Sequence, residues 1–367
     1  MMCITIWITK IMKKFKEWLS IRINEIDWKD TFGDVKHQCI DTKKIVEYLN
    51  KVKSNSNIDY GNREKFDIEN PFVHSKSSFF NKEKEEVDID YFIKQITQKP
   101  NNIINTNEKI LKSGGPHEYV YKTGIPAFRG IAYDIEEGIF HYINTCPGAG
   151  ACVVICYARK GRYIQYPNAY DSMTRRLNYL LNFPDKYENQ MYEELREKCE
   201  EHEAFDGYKS KILLRWNDSG DFFTNKYVEI ANSVIKKLKS NGYNIDSYAY
   251  TKIAQVAKSS DFGDSTFSTD SNRKELGQID KNKQKVSIIV PQDLFKDLNL
   301  MKIKDEQILK SRIAIKFKLN LNDIITYDEM ISKTKTETPK WHVIVTPNDG
   351  DDAAFRKDVK TIFLTQH

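Results

Sequence analysis

Nowhere does this 367-residue sequence hold about 18 uninterrupted apolar residues, the length that a membrane-spanning helix requires. Its start, M-M-C-I-T-I-W-I-T-K-I-M-K-K-F, is apolar but lacks the leading positive charges and small-residue cleavage site of a secretory signal. Met12 is an alternative start to Met1. A strong charge of one sign is also missing: the net charge is +5, which permits contact with nucleic acid without arguing for it. The sequence shows no helix-turn-helix, HUH nuclease motif or aromatic–basic platform for single strands, which argues against a direct initiator nuclease. Cysteine is sparse, at six residues. Without a secretory signal, these point to a reducing, cytoplasmic setting where close cysteines serve metals or catalysis more often than disulfides.

Hydrophobic residues at 40% and aromatics at 12% supply a sizeable core, enough for one large α/β domain with an appendage or for two domains. Phe15, Trp18, Leu19, Ile23 and Ile26 recur at helical spacing, and polar, turn-rich stretches follow from residue 50 to 115. Residues 1–115 are therefore read as a loosely packed N-terminal appendage, helical at its start and then rich in loops. From residue 116 to 367 strands and helices alternate. I-A-Y-D-I-E-E-G-I-F-H-Y-I-N predicts a hairpin. Two helical faces follow, one with Ala169, Met173, Leu177 and Leu181, the next with Tyr187, Met191, Leu195 and Cys199. Strands are expected at 211–216, 245–250, 286–290, 313–317, 341–346 and 361–365. Thr224 is placed to cap the helix between the first two. Residues 259–285 read as a polar surface insertion with one strand near Thr266–Ser268. The alternation predicts a parallel sheet, open or closed into a barrel.

Cys146, Cys152 and Cys156 stand within N-T-C-P-G-A-G-A-C-V-V-I-C-Y-A-R. Iron–sulfur clusters are held mainly by thiolates from one compact loop, and Pro147, Gly148, Ala149 and Gly150 let the backbone fold tightly. Three thiolates leave one iron open to another ligand. Zinc is the alternative, with His141 or a distant cysteine as fourth ligand, and three buried thiols without metal the blandest reading. Polar residues gather where a parallel sheet places its active face: Asn217, Asp218, Ser219, Gly220 and Asp221 after one strand, Thr251 and Lys252 after the next, Ser268, Thr269 and Asp270 after a third, and Thr346, Asn348 and Asp349 later. Asp221 also suits a helix-capping turn, and Lys252 a surface position. Arg159, Lys160, Arg162, Arg175 and Arg176 form a basic stretch that fits a solvated helix face better than a phosphate site.

The cysteine loop, then R-W-N-D-S-G-D-F-F-T-N-K-Y, Y-A-Y-T-K, K-W-H-V-I-V-T-P-N-D-G-D-D and F-L-T-Q-H, together resemble the phage and plasmid gene 88 protein family over residues 117–367. Some members of that family are labelled as associated with rolling-circle replication, which implies an accessory role with DNA or a replication protein as partner. The same order of motifs is similar to phage radical-SAM-like proteins. That resemblance implies a partial or full parallel barrel of radical-SAM-like type, a 4Fe-4S cluster on Cys146, Cys152 and Cys156, and S-adenosylmethionine on the open iron. It further implies cofactor binding by Ser219, Gly220, Asp221 and Thr251, catalytic roles for Asp221 and Lys252, and an unidentified substrate. The C-x5-C-x3-C spacing departs from the usual C-x3-C-x2-C of that group, and Tyr157 follows the last cysteine where an aromatic residue usually precedes it.

Overall fold

The computed structural model describes residues 28–33, 35–54, 73–107, 110–159 and 162–365. The helix expected over residues 15–26 lies outside them. Two sheets organise the chain. A three-stranded antiparallel sheet joins β1 (His37–Ile40), β4 (Ile139–Asn144) and β3 (Arg129–Asp134) in that order. The predicted hairpin is β3–β4, with Gly138 at φ +70° in the turn, where a side chain would strain the backbone.

One face of this small sheet is covered by helices α1 (Thr42–Ser54) and α2 (Ile89–Ile96). Ile45, Leu49, Phe79, Phe80, Phe92 and Ile96 bury themselves there against Ile131 and Phe140. The described part of the N-terminal region is thus closely packed, contrary to the loose appendage expected. Short apolar islands read as sparse in sequence, yet their phenylalanines converge. Phe92 has ring centroids 5.8 Å from Phe79 and 6.3 Å from Phe140.

Eight strands form the large sheet, every neighbouring pair parallel: β2 (Glu118–Lys122), β5 (Lys211–Trp216), β6 (Ile245–Thr251), β7 (Asp264–Ser268), β8 (Val286–Ile289), then β11 (Val359–Leu364), β10 (Trp341–Val345) and β9 (Ile324–Thr326). Parallel neighbours need crossovers, and helices supply most of them. α3 (Pro167–Asn182) and α4 (Pro184–Asp206) each begin with proline in the first turn, where its missing N–H is harmless. On α3, Asn178 and Asn182 exchange side-chain hydrogen bonds with the outer backbone edge of β3 at 2.9–3.1 Å, which closes that edge to further pairing. α5 (Asn225–Ser240) starts at Thr224, whose hydroxyl accepts the Tyr227 N–H as expected, and buries Tyr227, Ile230, Val234 and Leu238. Shorter α6 (Ala254–Ser259), then α7 (Ile303–Phe317) and α8 (Tyr327–Ser332), complete the set that matters here.

Two expectations are corrected. Residues 313–317 belong to α7 and are not a strand: Leu309 and Ile313, four apart, are buried while Ile315 is 80% exposed, the pattern of a helix. Ile313, Ile315 and Phe317 imitate a two-residue period by chance. The 259–285 segment is not merely a surface insertion either. Its strand, β7, lies between β6 and β8 inside the sheet, with Thr266 and Phe267 fully buried.

The sheet is open in its pairing, since β2 and β9 stand at its two ends. Neighbouring strands lie about 4.8 Å apart, so in a flat sheet these ends would be separated by about 34 Å. Instead Val120 of β2 and Ile325 of β9 share one apolar cluster with Leu213, Tyr248, Val343, Val345 and Ile362. Across the same gap the Gly114 N–H donates to Asp352 at 2.9 Å. The sheet therefore curls. Its concave face holds this cluster, and its convex face packs Ile212, Leu214, Trp216 and Ala249 against α3, α4 and α5.

Candidate metal centre at the mouth of the parallel sheet

Strand β4 ends at Asn144 and delivers Thr145 and Cys146 to the carboxyl ends of the parallel strands. The Thr145 hydroxyl donates to the Pro126 carbonyl at 2.6 Å, and its own carbonyl accepts the Asp221 N–H at 2.9 Å. Cys146 Sγ accepts the Phe128 N–H at 3.3 Å. The loop then presses on the ends of β6 and β7: the Gly148 carbonyl accepts the Asn272 N–H, and Ala149 bridges Ser271. A methyl group added to Gly148 would lie 2.4 Å from the Lys252 carbonyl, and one on Gly150 equally close to that of Ser271. Close approach of backbones, rather than turn geometry, explains these two glycines. One helical turn, Cys152–Ile155, separates the second and third cysteines.

One ammonium group, that of Lys252, acts electrostatically on all three thiols. Burial pushes the three thiols up, Cys152 to about 12, and the neighbouring Asp221 raises Cys146 further while Lys252 opposes the rise in each. Burial disfavours the Lys252 charge, but Asp270, Cys152, Asp221 and Cys146 together hold it above the ordinary lysine range. Asp270 approaches its Nζ at 4.0 Å. Arg159, also buried, lies 5.7 Å from the Phe128 ring and reaches Cys156 electrostatically.

Asp221 is buried and accepts three hydrogen bonds, from the Thr251 hydroxyl at 2.7 Å, the Lys252 N–H at 2.8 Å and the Phe222 N–H at 2.8 Å. It ties the turn after β5 to the end of β6 and so sets where Lys252 stands. Ser219 and Gly220 face the Gly124–Ile125 turn: the Ser219 carbonyl accepts the Ile125 N–H, and Gly220, at φ +80°, would place a Cβ 2.5 Å from Ile125. The buried Ser219 hydroxyl has no hydrogen-bond partner among the described residues. Thr346 and Asp349 close their own turn, the Thr346 N–H donating to the Asp349 carboxylate at 2.6 Å. His141 does not stand with this loop; its ring meets Cys39 and His37 instead.

Beneath the cysteine loop lies a second polar group that sequence reasoning missed. Alternation puts Lys122 and Arg215 on the concave face, two residues beyond Val120 and Leu213. Arg215 bonds Asp351, approaches Asp218 at 3.3 Å and donates to the Tyr157 hydroxyl at 3.0 Å. Lys122 and the Tyr163 hydroxyl both bond the Asp218 carboxylate, and the Tyr157 hydroxyl bonds its carbonyl. Against the cost of burial, Arg215 and Lys122 bring Asp218 down to about 2. Tyr157 links the two groups, its ring partly exposed and its hydroxyl end inside the network. Its position directly after Cys156 was the available signal.

The basic stretch is neither a solvated face nor a phosphate site where it is described. Arg176 is buried and donates to the carbonyls of Asn102 and Gly124, and Arg175 donates to the Gln95 carbonyl with its cation 5.0 Å from the Phe79 ring. These arginines fasten α3 to the N-terminal region. Lys160 and the Arg162 side chain lie outside the described residues.

A family model described as gene product 88 matches residues 97–356, most of the chain. The chain belongs to the gene product 88 family. No curated protein and no solved structure matches it. The family match spans the cysteine loop, Asp221, Lys252 and Asp270, and the whole network from Lys122 to Asp351. It also begins ahead of β2, directly after α2. No helix among the described residues is long and apolar enough to cross a membrane.

Proposed function

We propose that this gene product 88 protein of a phage or mobile element is a radical-SAM-like iron–sulfur protein, with Cys146, Cys152 and Cys156 holding a 4Fe-4S cluster. The observation that carries the reading is the gathering of three part-buried thiols in one loop at the carboxyl ends of parallel strands, each under the electrostatic influence of Lys252. Buried thiols stay protonated unless positive charge compensates their anions, and a metal core supplies such charge. The donor set favours a cluster over one ion: three thiolates from one compact loop are usual holders of an iron–sulfur cluster, whereas structural zinc takes four protein ligands.

Bound there, the cluster would supply one-electron reducing capacity and an iron open to a further ligand, for which S-adenosylmethionine is the proposed occupant. The chain's own residues do the rest. Lys252 offers its ammonium to a carboxylate or to the anionic cluster. Asp221, already engaged by three donors, acts by fixing Thr251 and Lys252. The cysteine loop, pressed on β6 and β7, covers the mouth.

Anaerobic quantification of iron and sulfide, with EPR in the presence and absence of S-adenosylmethionine, tests this. Iron and acid-labile sulfide are expected, lost in Cys152→Ala, with an EPR signal that S-adenosylmethionine perturbs. A colourless protein whose metal is zinc retained by these three thiols overturns the cluster, and an indifferent EPR signal overturns S-adenosylmethionine.

A further inference from the structure

We propose that the small antiparallel sheet carries a second metal centre, a zinc site formed by His37, Cys39 and His141. Its residues are distinct from those of the cysteine loop, and it does not rest on the cluster reading. Cys39 and His141 are direct cross-strand partners on β1 and β4, and His37, two residues before Cys39, shares their face. One nitrogen from each histidine and the Cys39 sulfur all lie within 4.8 Å of one another.

Three further features fit a metal. Cys39 Sγ stands 3.6 Å from His141 Nδ1. A tetrahedral ion with Zn–S near 2.3 Å and Zn–N near 2.05 Å separates its sulfur and nitrogen ligands by about 3.6 Å. His37 Nδ1 lies 3.1 Å from the Val35 carbonyl. A carbonyl only accepts, so Nδ1 carries the proton and Nε2 keeps the lone pair that a metal uses, the usual way a backbone group orients a ligating histidine. Finally, the carboxylates of Asp134 and Glu137 stand within 4.8 Å of a His141 ring nitrogen and of each other, which adds acidic oxygens beside the site.

A thiolate and two imidazoles suit zinc over calcium or magnesium, which take oxygen ligands. Three protein ligands leave a fourth position for water. Cys39 and His37 are exposed, so an ion has access while His141 anchors the site from within. An S–H···N hydrogen bond accounts for the Cys39–His141 distance alone, but not for the His37 ring nitrogen that stands within 4.8 Å of both.

The test uses the full chain with Cys146, Cys152 and Cys156 all replaced by alanine, so that the first centre cannot contribute. Zinc titration against a chromogenic chelator should show about one ion bound per chain, and cobalt should give a thiolate charge-transfer band. Cys39→Ser should abolish that band, and His37→Ala should weaken zinc binding at least about tenfold. If the folded triple variant takes up neither metal, the site does not exist. Should that variant fail to fold, Cys39→Ser in the native chain decides: zinc content falling by about one equivalent supports the site, and unchanged content overturns it.

Discussion

The two polar groups at the mouth of the sheet meet at Cys156–Tyr157, yet they are built oppositely. In the lower one, charges are matched within the protein: Arg215 has Asp351 and Asp218, Lys122 has Asp218, and the Tyr157, Tyr163 and Tyr248 hydroxyls complete the bonding. The upper one sets three part-buried thiols under the influence of Lys252, which has a carboxylate contact to Asp270 at 4.0 Å, while Asp221 is spent on three other donors. A matched buried network fixes structure. Thiols that must lose protons to bind a metal, facing a cation, have room in their charge balance for a guest. On the proposed reading the lower group is scaffold and the upper one a receptor.

The largest effect should come from breaking the matched group. Arg215→Met leaves Asp351 and Asp218 buried beside an apolar chain and should cost about 3–5 kcal/mol in urea unfolding. Lys252→Met removes a cation that lacks a close ion pair and should cost the metal-free chain less; equal losses would erase the distinction between the groups. Asp221→Ala comes next. It strands the Phe222 and Lys252 N–H groups and the Thr251 hydroxyl, and should cost about 2 kcal/mol. A loss as large as that of Arg215→Met would mean that Asp221 belongs with the scaffold.

Acid tests the lower group through Asp218. Asp218, held down to about 2 by Arg215 and Lys122, contributes stability that is present above its unfolded value near 4 and is lost as pH falls through about 2. Asp218→Asn should flatten the fall in stability between about pH 4 and pH 2. Circular dichroism during acid titration would reveal this. A variant that loses stability over that range as steeply as the parent would show that Asp218 does not carry the effect.

How much of this was legible in the sequence depended on locality. The cysteine loop is contiguous and its ligand types are few, so Cys146, Cys152 and Cys156 could be named from spacing alone. Asp221, Thr251 and Lys252 followed from the rule that parallel strands offer their carboxyl ends. Arg215 and Lys122 escaped notice because each sits inside a strand, where only the curl of the sheet reveals that alternate residues converge. Asp351 is remote in sequence from Arg215 and Tyr248, which its carboxylate bonds. The proposed site of His37, Cys39 and His141 was hidden for a similar reason: the register between β1 and β4 joins residues 102 apart, and sequence spacing carries no register.

The smallest effect concerns no stability at all. In metal-free chain at neutral pH, burial keeps Cys152 protonated, its thiol lifted to about 12, with Lys252 too weak an influence to reverse the shift. Iodoacetamide attacks thiolates, so Cys152 should alkylate far more slowly than the exposed Cys39, as mass spectrometry of timed samples would show. Lys252→Met should slow it further, because the one cation favouring its anion is gone. That second difference isolates the claim about the upper group. If the substitution leaves the alkylation rate of Cys152 unchanged, Lys252 does not balance thiolate charge, and the receptor would have to find its positive charge elsewhere.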